Sequence, residues 1–252
     1  MRPTVLFLGC HCDDIELGCG ALVHRLARSH EVHCLTLAHT LAGGRLREEL
    51  AAAQSRALRR LGVTRARTLD LPTCSFPQRR QAVWEALHDA ERSLAPDVVF
   101  TQYRDRHQDH EALYKETLRN FRGAPTVVAY RVLPSCPHFR ADYFEPAGRA
   151  DVDAKLEALA HYRGVLGDKP YLRPDVVEAE LRLNGAAAGA EFAVAFRVVR
   201  LHGLFAAPAA GAAKADPSDT VPKFGPVNGH PRRGGSGGGN VPRVVAQPES
   251  RP

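Results

Sequence analysis

Short apolar runs alternate with amphipathic stretches through the first 130 residues of the chain. The apolar runs have the length of buried strands, and the stretches between them place apolar side chains on one face of a helix. The pattern predicts strands over residues 4–9, 31–36, 67–71, 97–101 and 126–130. It predicts helices between them, over residues 17–29, 47–61, 79–94 and 110–122.

This alternation predicts an α/β fold with a mostly parallel sheet and helices on both faces. Each crossover helix returns the chain to the end of the sheet where the next parallel strand begins. Beyond Pro134 the pattern weakens, with helices predicted over 151–163 and 174–183 and a late strand over 191–199. In such sheets ligands bind beyond the carboxyl ends of the strands, where the strand order reverses.

The last 47 residues differ in composition from the rest of the chain. Residues 206–252 contain 8 Gly and 8 Pro and almost no large apolar side chains, and they carry half of the formal net charge of +6. Such a segment buries too little apolar surface to offset its ordering entropy. We predict one folded domain over 1–205 and a disordered, basic Gly/Pro-rich tail over 206–252.

The remaining composition excludes several classes of protein. No apolar run reaches the ~18 residues of a membrane helix, so we expect no membrane span. The apolar start of the chain is short, and Asp13, Asp14 and Glu16 follow where a signal peptide would have its cleavage site. The six cysteines lack the spacing of a disulfide framework, which favours a reducing compartment and a cytoplasmic protein.

Two predicted loops concentrate imidazole and carboxylate groups. Cys10-His11-Cys12-Asp13-Asp14 follows the first strand, and Asp105-Arg106-His107-Gln108-Asp109-His110 follows the fourth. Imidazole and carboxylate together suit zinc, and a hydrolytic zinc site uses three protein ligands and one open position for water. We predict that His11, Asp14 and His110 bind Zn²⁺, which would lower the pKa of that water toward ~7.

Three neighbouring residues complete the predicted chemistry. Asp13 stands beside a ligand and is the candidate general base. His107 is the candidate for protonating a leaving amine or stabilising an oxyanion. We expect the carboxylate of Asp109 to hold the tautomer of His107.

Each loop also has a structural explanation without catalysis. Asp13 and Asp14 are common helix-capping residues, and a single histidine in a loop is more often a surface residue than a ligand. Gly18-Cys19-Gly20 lacks the third glycine of a dinucleotide-binding loop, since Val23 occupies that position. Cys10 and Cys12 have no second cysteine pair to close a zinc site. The presence of both loops at corresponding strand ends favours the metal site.

With these residues the chain resembles the PIG-L/LmbE-like family of zinc-dependent N-deacetylases. The resemblance rests first on His11-Cys12-Asp13-Asp14 followed by Glu16-Leu17-Gly18-Cys19-Gly20, and on His107-Gln108-Asp109-His110. It extends over roughly residues 3–203, through Leu69-Asp70-Leu71-Pro72, Phe76, Arg80-Gln81, Pro96-Asp97-Val98-Val99, Phe139-Arg140, Tyr143-Phe144, Lys155-Leu156-Glu157, Tyr162 and Ala195-Phe196. It implies a Rossmann-like sheet, a catalytic zinc and the roles given above.

Several positions depart from the family pattern. Cys12 replaces the usual Pro, Cys74 and Ser75 stand where Arg is frequent, Asn184 precedes Gly185 in place of Arg, and Val194 replaces a frequent Glu. These positions lie outside the predicted catalytic set, which favours an altered substrate. We expect Arg80, Phe139 and Asn184 to contact it.

The resemblance implies an enzyme that hydrolyses an N-acetyl or N-acyl group of a small amino-sugar conjugate. The departures leave open a second hypothesis, a family member that binds metal or sugar without turnover. A nucleic-acid binder acting through the basic tail is the weakest hypothesis, and we expect no nucleic-acid partner. The sequence leaves the oligomeric state open, a homo-oligomer included.

Overall fold

The computed structural model describes residues 2–38, 47–133, 135–136 and 138–202. The strands of this part are β1 Thr4–Gly9, β2 Glu31–Thr36, β3 Arg65–Thr68, β4 Val98–Gln102, β5 Thr126–Tyr130, β6 Tyr143–Ala147 and β7 Phe192–Leu201. The helices are α1 Asp14–Leu26, α2 Arg47–Arg60, α3 Arg80–Leu94, α4 Gln108–Asn120, α5 Arg149–Leu166 and α6 Pro174–Ala188, with a 3₁₀ turn at Pro170–Leu172.

The strands form a single mixed sheet in the order β3-β2-β1-β4-β5-β7-β6. The five strands from β3 to β5 are parallel, while β7 runs antiparallel to both β5 and β6. The predicted α/β fold with a mostly parallel sheet is confirmed. The strand order reverses between β1 and β4, so the loops after these two strands leave the sheet side by side.

Apolar cores lie on both faces of the sheet because successive residues of β1 point to opposite sides. Val5 and Phe7 pack in one core with side chains of α1, α2, α5 and α6. Leu6 and Leu8 pack in the other core with side chains of α3 and α4. The sheet is therefore covered by helices on both faces, as predicted, and β1 is buried along its whole length.

The main differences from the predicted elements lie at element ends and at one edge of the sheet. Helix α1 begins at Asp14 rather than at residue 17, because Asp13 turns the chain into the helix with a left-handed backbone (φ 88°). Strand β3 covers Arg65–Thr68, shifted toward the amino terminus from the predicted 67–71. Strand β6 was not predicted, since it contains Pro146. Among the strands that the structure describes it pairs with β7 alone, and a proline is tolerated on an edge strand.

The predicted tail, 206–252, and its boundary with the folded domain lie outside the described residues. Within the part of the chain that the structure describes, no helix has the length and apolar character needed to cross a membrane.

The contact between Gly18 and Tyr130 tests the packing of α1 on the sheet. A methyl group at Gly18 would overlap the Tyr130 ring, whose hydroxyl donates to the Leu8 carbonyl at 2.6 Å. We expect Gly18→Ala to lower the free energy of unfolding by ~1–3 kcal/mol, through overpacking. Urea unfolding followed by circular dichroism measures this change.

Gly164→Ala is the matched control for this variant. Gly164 lies within α5, and no atom lies within 4 Å of the place that a methyl group would take there. Alanine at this position should raise the free energy of unfolding by up to ~1 kcal/mol, since it restricts the unfolded chain. Equal unfolding midpoints for the two variants would contradict the close packing of Gly18 on Tyr130.

Candidate functional site

The two histidine-rich loops meet at the point where the strand order reverses. The backbone N–H of Cys10, at the end of β1, donates to Gln102 Oε1 at the end of β4 over 2.7 Å. This bond ties together the two strand ends from which the loops leave. The structure thereby brings side chains about 100 positions apart in sequence into one cluster.

Asp14 lies at the centre of the cluster. Its Oδ2 accepts a hydrogen bond from the His11 backbone N–H at 2.7 Å and lies 3.4 Å from His11 Nδ1. The same oxygen lies 3.8 Å from His110 Nε2. Asp14 and His110 are 3% and 4% exposed, so these polar atoms meet in a site largely shielded from water. The structure thus brings together the three predicted ligands.

The outer nitrogen of each histidine ring is held by a second carboxylate. His11 Nε2 lies 3.1 Å from Asp109 Oδ2, and His110 Nδ1 lies 2.8 Å from Asp105 Oδ2. The second nitrogen of each ring, His11 Nδ1 or His110 Nε2, therefore lies on the side of Asp14. Metal-binding histidines in proteins have this same arrangement, with a carboxylate behind the ring. Asp105 received no role from the sequence, although it lies in the same acidic loop as His110.

The hydrogen bonds of the Asp109 carboxylate go to partners other than the expected His107. Its oxygens accept hydrogen bonds from the backbone N–H groups of Cys74 at 2.6 Å and Phe76 at 3.0 Å, besides the contact with His11. Asp109 is completely buried. Its carboxylate points to the turn at 74–76, where two backbone N–H groups donate hydrogen bonds to it. This turn is distant from Asp109 in sequence.

His107 is held by the backbone of Asp109 instead. His107 is the N-cap residue of α4, and its Nδ1 accepts the Asp109 N–H at 3.2 Å. Because Nδ1 is an acceptor, the proton of the neutral ring is on Nε2. Burial and the neighbouring His11 and His110 lower the pKa of His107, which favours this neutral form. His107, which is one of the residues that line the cleft, therefore carries an N–H donor at Nε2.

The charges of the cluster favour a bound cation. Burial opposes protonation of His11, but its hydrogen bonds to Asp109 and Asp14 outweigh burial and raise its pKa to about 10. Burial also opposes the ionised form of Asp14, yet the hydrogen bond and charge of the nearby imidazoles lower its pKa. One carboxylate and two imidazoles are a donor set that zinc accepts, so the residues present fit a divalent cation.

Asp13 has an unusual backbone beside this centre. Its φ of 88° lies in the left-handed region, which non-glycine residues rarely adopt, and it caps no backbone N–H of α1 with its side chain. Asp13 is 8% exposed, and burial together with the charges of Asp14 and Glu16 raises its pKa. Its carboxyl group lines the cleft. The loop therefore holds a buried carboxyl group with a raised pKa, on a strained backbone, next to Asp14.

A cleft with a volume of about 260 Å³ opens above the cluster. Asp13, His107 and His110 are among the polar residues that line it. Its other walls are mainly apolar and come from α1, α2, α5, the segments after β2 and β5, and the 3₁₀ turn. The apolar wall residues are Leu17, Ala38, Leu50, Val132, Leu133, Leu166 and Tyr171. The cleft therefore has charged and polar residues at its bottom and a mainly apolar wall.

The structure brings none of the three expected substrate contacts to the lining of this cleft. Arg80 Nε donates to Glu116 Oε1 at 2.6 Å, which directs its guanidinium group toward α4. The Phe139 ring packs against the Tyr103 ring, with centroids 5.4 Å apart. Asn184 is nearly buried within α6. The sequence placed these residues near substrate by similarity alone and gave no information on the direction of their side chains.

The carboxylate behind His110 provides a test of the candidate metal centre. We expect Asp105→Asn to weaken divalent-cation binding by ~10–100-fold, because the amide holds the His110 ring less firmly and makes it a poorer donor. Competition with a chromophoric chelator measures this affinity. Asp89→Asn, a carboxylate on α3 away from the cluster, is the control and should leave the affinity unchanged. Equal affinities for the two variants would exclude this role for Asp105.

Comparisons with known proteins agree with this geometry. The sequence profile described as "PIG-L: GlcNAc-PI de-N-acetylase" matches residues 6–121, which include both loops. The chain is 30% identical over 169 residues to "Uncharacterized deacetylase YaiS" of Escherichia coli (strain K12). The match spans 64% of this chain and 91% of that protein.

Solved structures show the same fold. The conserved protein TT1542 from Thermus thermophilus superimposes with a TM-score of 0.65 at 26% identity, covering 79% of this chain and 95% of that one. N,N'-diacetylchitobiose deacetylase from Pyrococcus horikoshii gives a TM-score of 0.63 at 17% identity, covering 78% and 84%. By its match to the family profile and to this bacterial relative, the chain belongs to the PIG-L (GlcNAc-PI de-N-acetylase) family of deacetylases.

Proposed function

We propose that the protein is a zinc-dependent hydrolase that removes an N-acetyl or N-acyl group from an amino-sugar conjugate. The observation that carries this proposal is the convergence of His11, Asp14 and His110 at the base of one cleft, beside Asp13 and His107. A cation held there would polarise an amide carbonyl and acidify a water molecule. Membership in a deacetylase family supports the same reaction.

We assign to Asp13 the role of general base. Its carboxyl group lines the cleft next to the ligand Asp14 without serving as a helix cap. In this position it takes a proton from the attacking water as the carbon–oxygen bond forms. The carboxyl group then holds that proton within the cleft, where the departing amine collects it as the carbon–nitrogen bond breaks.

We assign to His107 the role of hydrogen-bond donor to the oxyanion. The Asp109 N–H occupies Nδ1, which places the ring proton on Nε2. The His107 ring lies 4.7 Å from the His110 ring and 4.8 Å from the His11 ring, between centroids, so its donor lies next to the ligand set. A preformed donor at this position is worth ~10²–10³-fold in rate in other acyl-transfer enzymes. Asp109 acts on His11 through its carboxylate and on His107 through its backbone.

The cleft and the relatives indicate the class of substrate. The family description names an acetylated glucosamine conjugate, and one structural neighbour is named for an acetylated chitobiose. The cleft has an apolar wall formed by residues such as Leu50, Leu133 and Tyr171. An amino sugar linked to an apolar group matches a cleft that has polar residues at its bottom and an apolar wall. We propose a cytoplasmic location, where the six free cysteines would remain reduced, and no nucleic-acid partner.

Asp13→Asn separates the general base from the metal centre. Asparagine keeps the size of the side chain and tolerates a left-handed backbone, so the fold and the bound zinc should remain. Turnover should fall by ~10²–10⁴-fold, because the amide accepts no proton from water. Acetate release from a panel of N-acetylglucosaminides, with zinc content measured on the same samples, tests this expectation.

His11→Ala is the matched control for Asp13→Asn and should lose both zinc and activity, since it removes a ligand. Full turnover by Asp13→Asn would exclude Asp13 as the base. A wild-type protein that holds stoichiometric zinc but releases no acid from any N-acyl substrate would favour the binding protein without turnover.

His107→Asn separates catalysis from helix capping. Asparagine is among the best N-cap residues and can accept the Asp109 N–H, so the free energy of unfolding should change little. Its shorter side chain places no donor at the position of Nε2, and kcat should fall by ~10²–10³-fold.

His107→Ala loses both functions, and we expect it to lower the free energy of unfolding by ~1 kcal/mol in addition. Steady-state kinetics and urea unfolding of both variants measure the two effects separately. A His107→Asn variant with unchanged kcat would show that the role of His107 is structural.

A further inference from the structure

We propose that Cys74 and His107 form a second, inhibitory binding site for a thiophilic divalent cation at the mouth of the cleft. Cys74 Sγ lies 3.9 Å from His107 Nε2. A cation bonded to sulfur at ~2.3 Å and to nitrogen at ~2.0–2.1 Å in tetrahedral geometry separates the two atoms by ~3.5 Å. A small rotation of the cysteine side chain therefore brings both donors into binding distance.

Cys74 is the accessible thiol of this protein. It is exposed, whereas the other five cysteines are buried. It stands in the turn at 74–76, next to the cleft-lining Thr73. A cation in solvent therefore reaches Cys74 without any opening of the fold, which is not true of Cys10 or Cys12.

Carboxylates near the pair favour positive charge beside His107, while His11 and His110 oppose it. Ligand atoms of His107, His11 and Asp109 all lie within 4.8 Å of one another. Asp109 also accepts the backbone N–H of Cys74, so its carboxylate lies close to the turn that carries the thiol. The charge of this buried carboxylate favours a cation beside His107, with water molecules as its remaining ligands.

The second site uses different atoms from the zinc site. The zinc site would use His11 Nδ1, Asp14 Oδ2 and His110 Nε2, whereas the second site uses Cys74 Sγ and His107 Nε2. The two sites share no ligand atom, so the second cation takes no ligand from the first. Binding of the second cation releases the thiol proton and moves the imidazole proton from Nε2 to Nδ1. That move breaks the cap bond between His107 Nδ1 and the Asp109 N–H, so the second site binds more weakly than the first.

Inhibition follows from the atom that the second cation occupies. His107 Nε2 carries the proton that the proposed function assigns to the oxyanion, and a bound cation removes this donor. Only this inhibitory consequence rests on the proposed function, whereas binding of the cation does not. We expect a rate loss of up to ~10²-fold at saturation, as for removal of one donor from an oxyanion hole.

Cadmium titration of the zinc-loaded protein tests the binding directly. We expect a second cation per chain and an ultraviolet cadmium–thiolate absorption band that grows with it. Cys74→Ser should lose both the band and the second cation, and Cys74→Asn, a residue suited to the φ of 60° at this position, should do the same. Cys12→Ser, which removes a buried thiol of the cleft, should keep both.

In the kinetic experiment, the rate of each protein with one equivalent of zinc is its own reference. Excess Zn²⁺ should lower the wild-type and Cys12→Ser rates by at least ~10-fold, and the Cys74→Ser rate by less than ~2-fold. A thiolate band that persists in Cys74→Ser, or no second cation in the wild type, would overturn the site. A second cation that binds through Cys74 without slowing turnover would overturn the inhibitory role and count against His107 as the donor. Absence of all turnover with the band present would refute the proposed function alone.

Discussion

A fully buried carboxylate at Asp109 holds the candidate site together. A buried charge is stable only when hydrogen bonds replace its lost hydration, and Asp109 obtains them from the backbone of Cys74 and Phe76 and from the ring of His11. These partners belong to two separate loops, while Asp109 itself lies in the first turn of α4. The positive end of that helix also favours the ionised form. One side chain thus fixes three segments that the sheet alone would leave independent.

This constraint explains why the ligands are oriented before any cation arrives. A carboxylate that holds one nitrogen of a histidine ring fixes the direction of the ring, and His11 and His110 are both held in this way. His11 Nδ1 and His110 Nε2 then face the same oxygen of Asp14. Folding has already fixed the direction of these rings, which would lower the entropic cost of binding a cation at the proposed site.

The sequence predicted the sheet, most helices and the identity of the clustered residues, because these depend on short-range patterns. Strand β1 is buried on both faces and reads as an unbroken apolar run, and its bounds were predicted correctly. Edge strand β6 was missed because it is half exposed and contains Pro146. The donors that the Asp109 carboxylate accepts from were not predicted, since Cys74 and Phe76 lie in a turn more than 30 positions away.

The directions in which side chains point were the hardest feature to predict from the sequence. Arg80 matches a family position, but Glu116 on the adjacent helix pairs with it and turns it away from the cleft. Cys12 replaces a proline, and its thiol donates to the buried Gln54 Oε1 at 3.3 Å, within a polar group that includes Thr36 and Thr68. No periodicity or spacing encodes such pairs, because they arise only after elements distant in sequence have packed together.

With Asp13 as the proposed general base, its left-handed backbone sets stability and activity against each other at a single position. Glycine adopts this conformation without steric cost, and a strained non-glycine residue costs of order 1 kcal/mol or more. Laboratory evolution that rewards only soluble, heat-resistant protein would therefore favour loss of the aspartate. Evolution that rewards product formation would retain it. The residue found at position 13 in an evolved population would reveal which of the two pressures had acted on the protein.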